Sequence, residues 1–243
     1  MALSGSRKAL LWGAFFIVWL VARPVFSASC SMPGVGKLVV SKQVIDGDTL
    51  DLVDGRRVRL VGINAPEIGR NGRPSEPYAQ AARKALASLV KGGELRLLVG
   101  EEPRDRYGRT LGHLFDGSGA NLEANLLREG LGFAVALPPN LRLLDCHLQQ
   151  EQQARQQRLG VWKANPARRA SQVDSGGFHL LRGRIETISR TGRHIWIDLD
   201  GSVALRLPRG LIAADELSAW KGRKIEARGW VVDRGRVRRG QKR

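Results

Sequence analysis

Between Val44 and Glu67 the chain reads VIDGDTLDLVDGRRVRLVGINAPE, a stretch that leaves the backbone few choices. TLDLV and RRVRLVGI alternate apolar and polar residues as half-buried strands do, and Asp54-Gly55 between them is a two-residue hairpin signal. The upstream run LVVSKQVI, from Leu38, completes a β-meander. Its side chains are unusual for a simple structural unit. Asp46 and Asp48 flank a glycine, Arg59 follows in the next strand, and Asn64 and Glu67 come just after. An echo lies forty residues on at Asp105–Arg109, DRYGR. Carboxylate oxygens bind a hard cation such as Ca²⁺, and guanidinium forks bind phosphate oxygens, so acids and arginines gathered at one end of a β unit suit a cation beside a phosphate.

Downstream, GRNGRPSEP (69–77) reads as a loop. Ser75 is expected to cap a helix carrying Tyr78, Ala82, Ala85, Leu86 and Leu89 at helical spacing, closed by Gly92. Glu94–Val99 and Thr110–Phe115 read as strands four and five, with a turn at Asp116-Gly117. Helices are expected over 121–130 and 140–160; in the second, Leu141, Leu144, Leu148 and Leu159 form the apolar face and QQEQQARQQ the solvated one. Five strands and three helices predict an α+β fold built on a small closed barrel of the OB type. The polar, Pro- and Gly-containing run KANPARRASQVDSGG (163–177) predicts a linker over 164–177. From Phe178 strands resume (LLRGRIETI, HIWIDL, SVALRL, KIEARGWVV), with a short helical piece near 211–220, predicting a second, OB-like β domain over 178–243. In HIWIDL, Trp196 falls on the polar face among many arginines, where it could stack on a nucleobase.

Charge localises a partner. Of the net +17, +9 falls in residues 178–243 and +3 in residues 30–162, so the C-terminal region is the candidate polyanion-binding surface. The first 29 residues carry Arg7-Lys8, a short apolar run at 9–22 and small residues at 27–29, the pattern of a secretory signal. Fourteen apolar residues fall short of the roughly 20 that cross a bilayer, so export is expected, with membrane contact only if the segment is retained. The two cysteines, Cys30 and Cys146, can pair in an oxidising compartment.

Taken together, DGDT, RLVGINAPE, DRYGR, an EGL turn at 129–131 and LGVW at 159–162 resemble the thermonuclease, or staphylococcal-nuclease-like, family of Ca²⁺-dependent nucleases over Leu38–Trp162. The resemblance implies an OB barrel that hydrolyses DNA and RNA at the P–O5′ bond. By motif position it implies Asp48, Asn64 and the main chain of Ala65 as metal ligands, with Asp46 acting through metal-bound water. It implies Arg59 and Arg109 as phosphate clamps, Glu67 as the residue that orients or deprotonates water, and Arg106 and Tyr107 near the nucleotide phosphate. Two departures stand out. The family usually has aspartate at position 64, and LGFAVALPPN (131–140) lacks the tyrosines of its nucleotide pocket. A nucleic-acid-binding module that has lost its metal through Asn64 is the alternative; a third reading has the basic domain bind anionic lipid or cell-wall polymer.

Overall fold

The computed structural model describes residues 30–91, 93–209 and 217–232. The leader, Gly92, most of the helical piece expected near 211–220 and the basic tail at 236–243 lie outside the described residues.

Strands β1 (Lys37–Val39), β2 (Ser41–Val44), β3 (Thr49–Leu52), β4 (Arg57–Leu60), β6 (Leu95–Arg104) and β7 (Thr110–Phe115) form one sheet in the order β1-β6-β7-β4-β3-β2. β4 and β7 run parallel and the other neighbours antiparallel. The short strands β5 (Ile63–Asn64) and β8 (Phe133–Ala134) pair separately. The sheet curls into a half-barrel, giving the mainly β, OB-like α+β fold that the sequence predicts. The hairpin forms where expected. Leu50 faces Val58 across it, Gly55 takes a positive φ of 87°, and Asp54 accepts from the Arg56 N–H at 3.0 Å. Leu50, Leu52, Val58, Leu60, Leu95, Leu97 and Leu114 point inward against Ala82 and Leu86 of helix α1 (Ala79–Leu89) and Leu122, Leu126 and Leu127 of α2 (Leu122–Arg128). Each such leucine contributes roughly 1.5–3 kcal/mol by leaving water.

The helix boundaries bring two corrections. Ser75 does not cap α1; its hydroxyl accepts from the Gly69 N–H at 3.0 Å and ties the 69–75 loop shut, while Tyr78, at φ 69°, starts the helix without a side-chain cap. The third helix, α3, spans Leu144–Gln156, shorter than expected, because Asn140 is occupied elsewhere: its amide accepts from the Glu102 N–H and donates to the Glu102 carbonyl. Nor is the leucine stripe its buried face. Leu141, Leu148 and Leu159 are 37–41% exposed, whereas Cys146, His147, Glu151 and Ala154 are buried. Specific partners outweigh hydrophobicity here. Cys146 is bonded to Cys30, His147 Nε2 donates to Asn121 Oδ1 at 2.9 Å, and Glu151 pairs with Arg228 at 2.7 Å. Burial, reinforced by His113, pushes the His147 pKa down to about 3, so the ring is neutral.

The Cys30–Cys146 disulfide holds Cα atoms 5.5 Å apart across 116 residues of sequence. Closing so long a loop constrains the unfolded chain. Replacing both cysteines by serine is expected to cost about 2–4 kcal/mol, read as a lower urea midpoint under non-reducing conditions; an unchanged midpoint would show that the bond does not stabilise the fold.

The second sheet contains β12 (Ala204–Pro208), β11 (His194–Leu199), β10 (Gly177–Thr191) and β13 (Lys224–Val231) in that order, with β9 (Arg168–Arg169) beside β10. A bulge between Ile185 and Thr187 bends the 15-residue β10, so one half pairs with β13 and the other with β11. Alternation in β11 is as expected, with Ile195, Ile197 and Leu199 buried. The segment between the sheets is not simply extended: β9 joins the second sheet and Ala170 enters its core. A third cluster of Ala154, Trp162 and Leu180, with Phe133 against it, packs α3 onto β10.

Candidate active site

The turn at 45–49 presents the first acids. Ile45 and Asp46 N–H both donate to the Thr49 carbonyl, and the Asp48 N–H donates to Asp46 Oδ1 at 3.1 Å. The intervening residue must be glycine, because a Cβ at Gly47 would lie 2.6 Å from both Ala65 and Ala82. That close approach seats the turn on α1 and on the strand end bearing Asn64. Asp48 is fixed from several sides: its carbonyl accepts from Leu60 N–H, Oδ2 accepts from Ala65 N–H at 2.8 Å, and Oδ1 accepts from the Thr49 hydroxyl at 3.0 Å. Burial raises the Asp48 pKa to about 6; Arg59 opposes this and Asp46 adds to it.

Arg59 comes from the middle of the meander and is 7% exposed. Its guanidinium lies 3.1 Å from Asp48 Oδ2 and 3.4 Å from Asn64 Oδ1. It also donates to the Leu60 carbonyl and, at 2.8 Å, to that of Ile63. Glu67 has its backbone clamped by Glu76: the Glu67 N–H donates to Glu76 Oε2 and the Glu76 N–H to the Glu67 carbonyl, both at 2.9 Å. Protein packed around the Glu67 carboxyl, then the negative charges of Asp46 and Glu76, raise its pKa despite Arg59 and Arg70.

DRYGR is a turn wound around Asp105. One oxygen of that carboxylate accepts from the Tyr107 and Arg109 N–H groups at 2.9 and 3.0 Å, and the other from Arg109 Nε at 2.7 Å. Partial burial would raise the Asp105 pKa, yet these bonds hold it below the usual range. Arg106 donates to the Tyr107 hydroxyl at 2.6 Å, and its guanidinium lies 4.8 Å from the ring centroid, with that of Arg109 at 5.6 Å.

Two adjoining clefts, of about 1210 and 800 Å³, relate these groups. Arg59, Asn64, Arg106 and Tyr107 line the larger; Asp46 and Asp48 line the smaller; Glu67 and Arg109 line both, as does Arg57. Of the site residues expected from the meander and from DRYGR, only Ala65 lines neither cleft; its N–H donates to Asp48 Oδ2 beside them. Trp196 stands apart, on β11 opposite Arg206, and lines neither cleft. Sequence reasoning missed Arg57, whose two hydrogen bonds to Asp51 (2.6 and 3.0 Å) are signalled by the hairpin register, and Trp230 of β13, which enters the larger cleft with no local signal.

The residues around Ala65 carry oxygens of the type a hard divalent cation takes, and in this structure the Arg59 guanidinium engages two of them, Asp48 Oδ2 and Asn64 Oδ1. Two buried carboxylates share the turn at Asp46 and Asp48, and burial with mutual repulsion already disfavours charge on Asp48. A bound cation relieves that. The Asn64 amide and Ala65 carbonyl add neutral oxygen donors, while among the described residues no three His, Cys, Asp or Glu side chains converge.

Residues 57–164 match the staphylococcal nuclease homologue family. The chain is 34% identical over 143 residues to the thermonuclease of Staphylococcus intermedius, an alignment covering 58% of this chain and 83% of that one. It is 34% identical over 134 residues to the micrococcal nuclease of Shigella flexneri, covering 49% and 70%. It is 31% identical over 132 residues to the SPbeta prophage-derived endonuclease YokF of Bacillus subtilis (strain 168), covering 52% of this chain and only 44% of that relative. The family match stops at residue 164, ahead of the second sheet.

Proposed function

We propose that this chain, which belongs to the staphylococcal nuclease family, is an exported, Ca²⁺-dependent nuclease that hydrolyses phosphodiester bonds of DNA or RNA. One observation carries the reading. Glu67 and Arg109, with Arg57, line both clefts, so a phosphate bound there lies between the cleft that carries Asp46 and Asp48 and the one that carries Arg59 and Arg106.

Asp48, Asn64 and the Ala65 carbonyl, with Asp46 beside them, would hold the cation, which when bound would polarise a phosphate oxygen and acidify water. Arg109 and Arg59 take the remaining phosphate oxygens, where charge grows as the new bond forms. Glu67 accepts the proton of the attacking water, a task suited to a carboxylate whose pKa sits above the ordinary range. A P–O bond to water forms, the bond to O5′ breaks, and solvent returns a proton to the leaving oxygen. The Cys30–Cys146 disulfide supports an oxidising compartment, and with it export. A binding module without catalysis draws on a different observation: the Arg59 guanidinium is already engaged by Asp48, Asn64 and two backbone carbonyls.

Digestion of single-stranded DNA with millimolar Ca²⁺ separates the two. Chelator-sensitive cleavage leaving 5′-hydroxyl ends is expected; intact DNA across a range of metals favours the binding module. Asn64→Asp restores a formal charge beside Asp48 and is expected to tighten Ca²⁺ binding, read as a larger rise in melting temperature with added Ca²⁺. An identical rise in the two proteins would remove position 64 from the ligand set.

A further inference from the structure

An indole on the second sheet lines the cleft of the first. Trp230 of β13 is 49% exposed and shares the larger cleft with Tyr107, Arg104, Leu137 and Pro138. Its position is held rather than loose. Residues two apart on a strand share a face, and the next residues on that face of β13 are tied to α3 and β8: Arg228 to Glu151 at 2.7 Å and to the Ala134 carbonyl at 2.8 Å, and Glu226 to Arg155 at 2.8 Å. The ring itself abuts Phe178 edge-on at 5.3 Å; Phe178 meets Phe133 at 5.4 Å, and Phe133 meets Trp162 at 5.2 Å. This file of rings runs from the core beneath β8 to the cleft, where the last indole is left half open. Phe133 is committed to that file, so the 131–140 wall offers the cleft no aromatic side chain of its own. Among the described residues, Tyr107 and Trp230 are the exposed aromatics in the cleft.

We propose that Trp230 is a base-stacking residue of the substrate site: a nucleobase flanking the bound phosphate lies against its indole, so the second sheet reads the strand by contact as well as by charge. The preferred ligand is therefore single-stranded or locally unpaired, since a base within a duplex has no free face to offer. This rests on the nuclease reading for the position of the phosphate, but its test does not depend on turnover.

Labelled single-stranded decanucleotides are titrated with the full chain in excess chelator and followed by fluorescence anisotropy. Trp230→Leu, which keeps an apolar group against Phe178, is expected to weaken binding about tenfold, in line with one lost base–aromatic stack. Trp230→Phe should restore most of that loss. Moving an abasic site along the oligonucleotide should reveal one position where the wild type loses affinity and Trp230→Leu does not. Equal affinities for the wild type and Trp230→Leu, or a wild-type profile with no sensitive position, overturn the proposal. A chain that binds through Trp230 and never cleaves with any metal sinks the nuclease reading alone.

Discussion

Arg109→Ala is expected to slow phosphodiester cleavage at saturating substrate by about 10²–10³-fold, the size of effect seen when one preorganised donor to a developing anion is removed. The fold should hardly notice. Arg109 is partly exposed, and its carboxylate partner Asp105 keeps two backbone N–H donors when the guanidinium goes. A half-open ion pair of this kind is worth at most about 1 kcal/mol. Turnover of a defined oligonucleotide, measured beside a urea unfolding curve, checks both halves. An unchanged rate removes Arg109 from the site.

Arg59→Ala is expected to behave differently, although the two arginines look equivalent in sequence. Here the loss of stability is large, about 3–5 kcal/mol, because breaking a buried pair strands its partner's charge. The Asp48 and Arg59 side chains are 7% and 9% exposed, and the same guanidinium satisfies the carbonyls of Leu60 and Ile63. Burial separates the two: only Arg109 is exposed enough to be removed with little structural cost. The urea midpoint should fall sharply for Arg59→Ala and partly recover in Arg59→Lys, which keeps a charge but not the fork. A midpoint equal to wild type would mean that Asp48 finds another partner.

What could be read from the letters follows the range of the interactions involved. The meander, the Asp54-Gly55 hairpin and the Asp105 turn are set by contacts between residues a few positions apart, and strand alternation reports them directly. The Asp46–Glu67 site is legible for the same reason, since one hairpin and one strand end carry it. Ser75 illustrates a local signal with two uses, where a loop closure outcompeted a helix cap. The buried face of α3 was hidden because its partners, Cys30, Asn121 and Arg228, come from three distant parts of the chain. Trp230 was hidden likewise: period-2 patterning tells which face of β13 it occupies, and only the docking of two sheets tells that this face meets a cleft.

The link between Arg228 and Glu151 bears on how far the two halves are independent. Glu151 is 2% exposed, and its carboxylate is answered by a guanidinium drawn from the last described strand and by the Ala134 N–H. Trimming the chain ahead of β10 would therefore leave an anion in the interior with its cation gone, directly beneath the short β5–β8 pair that carries Asn64. The front half is less a module with an accessory behind it than a half-barrel whose rear bolt is threaded by the last described strand.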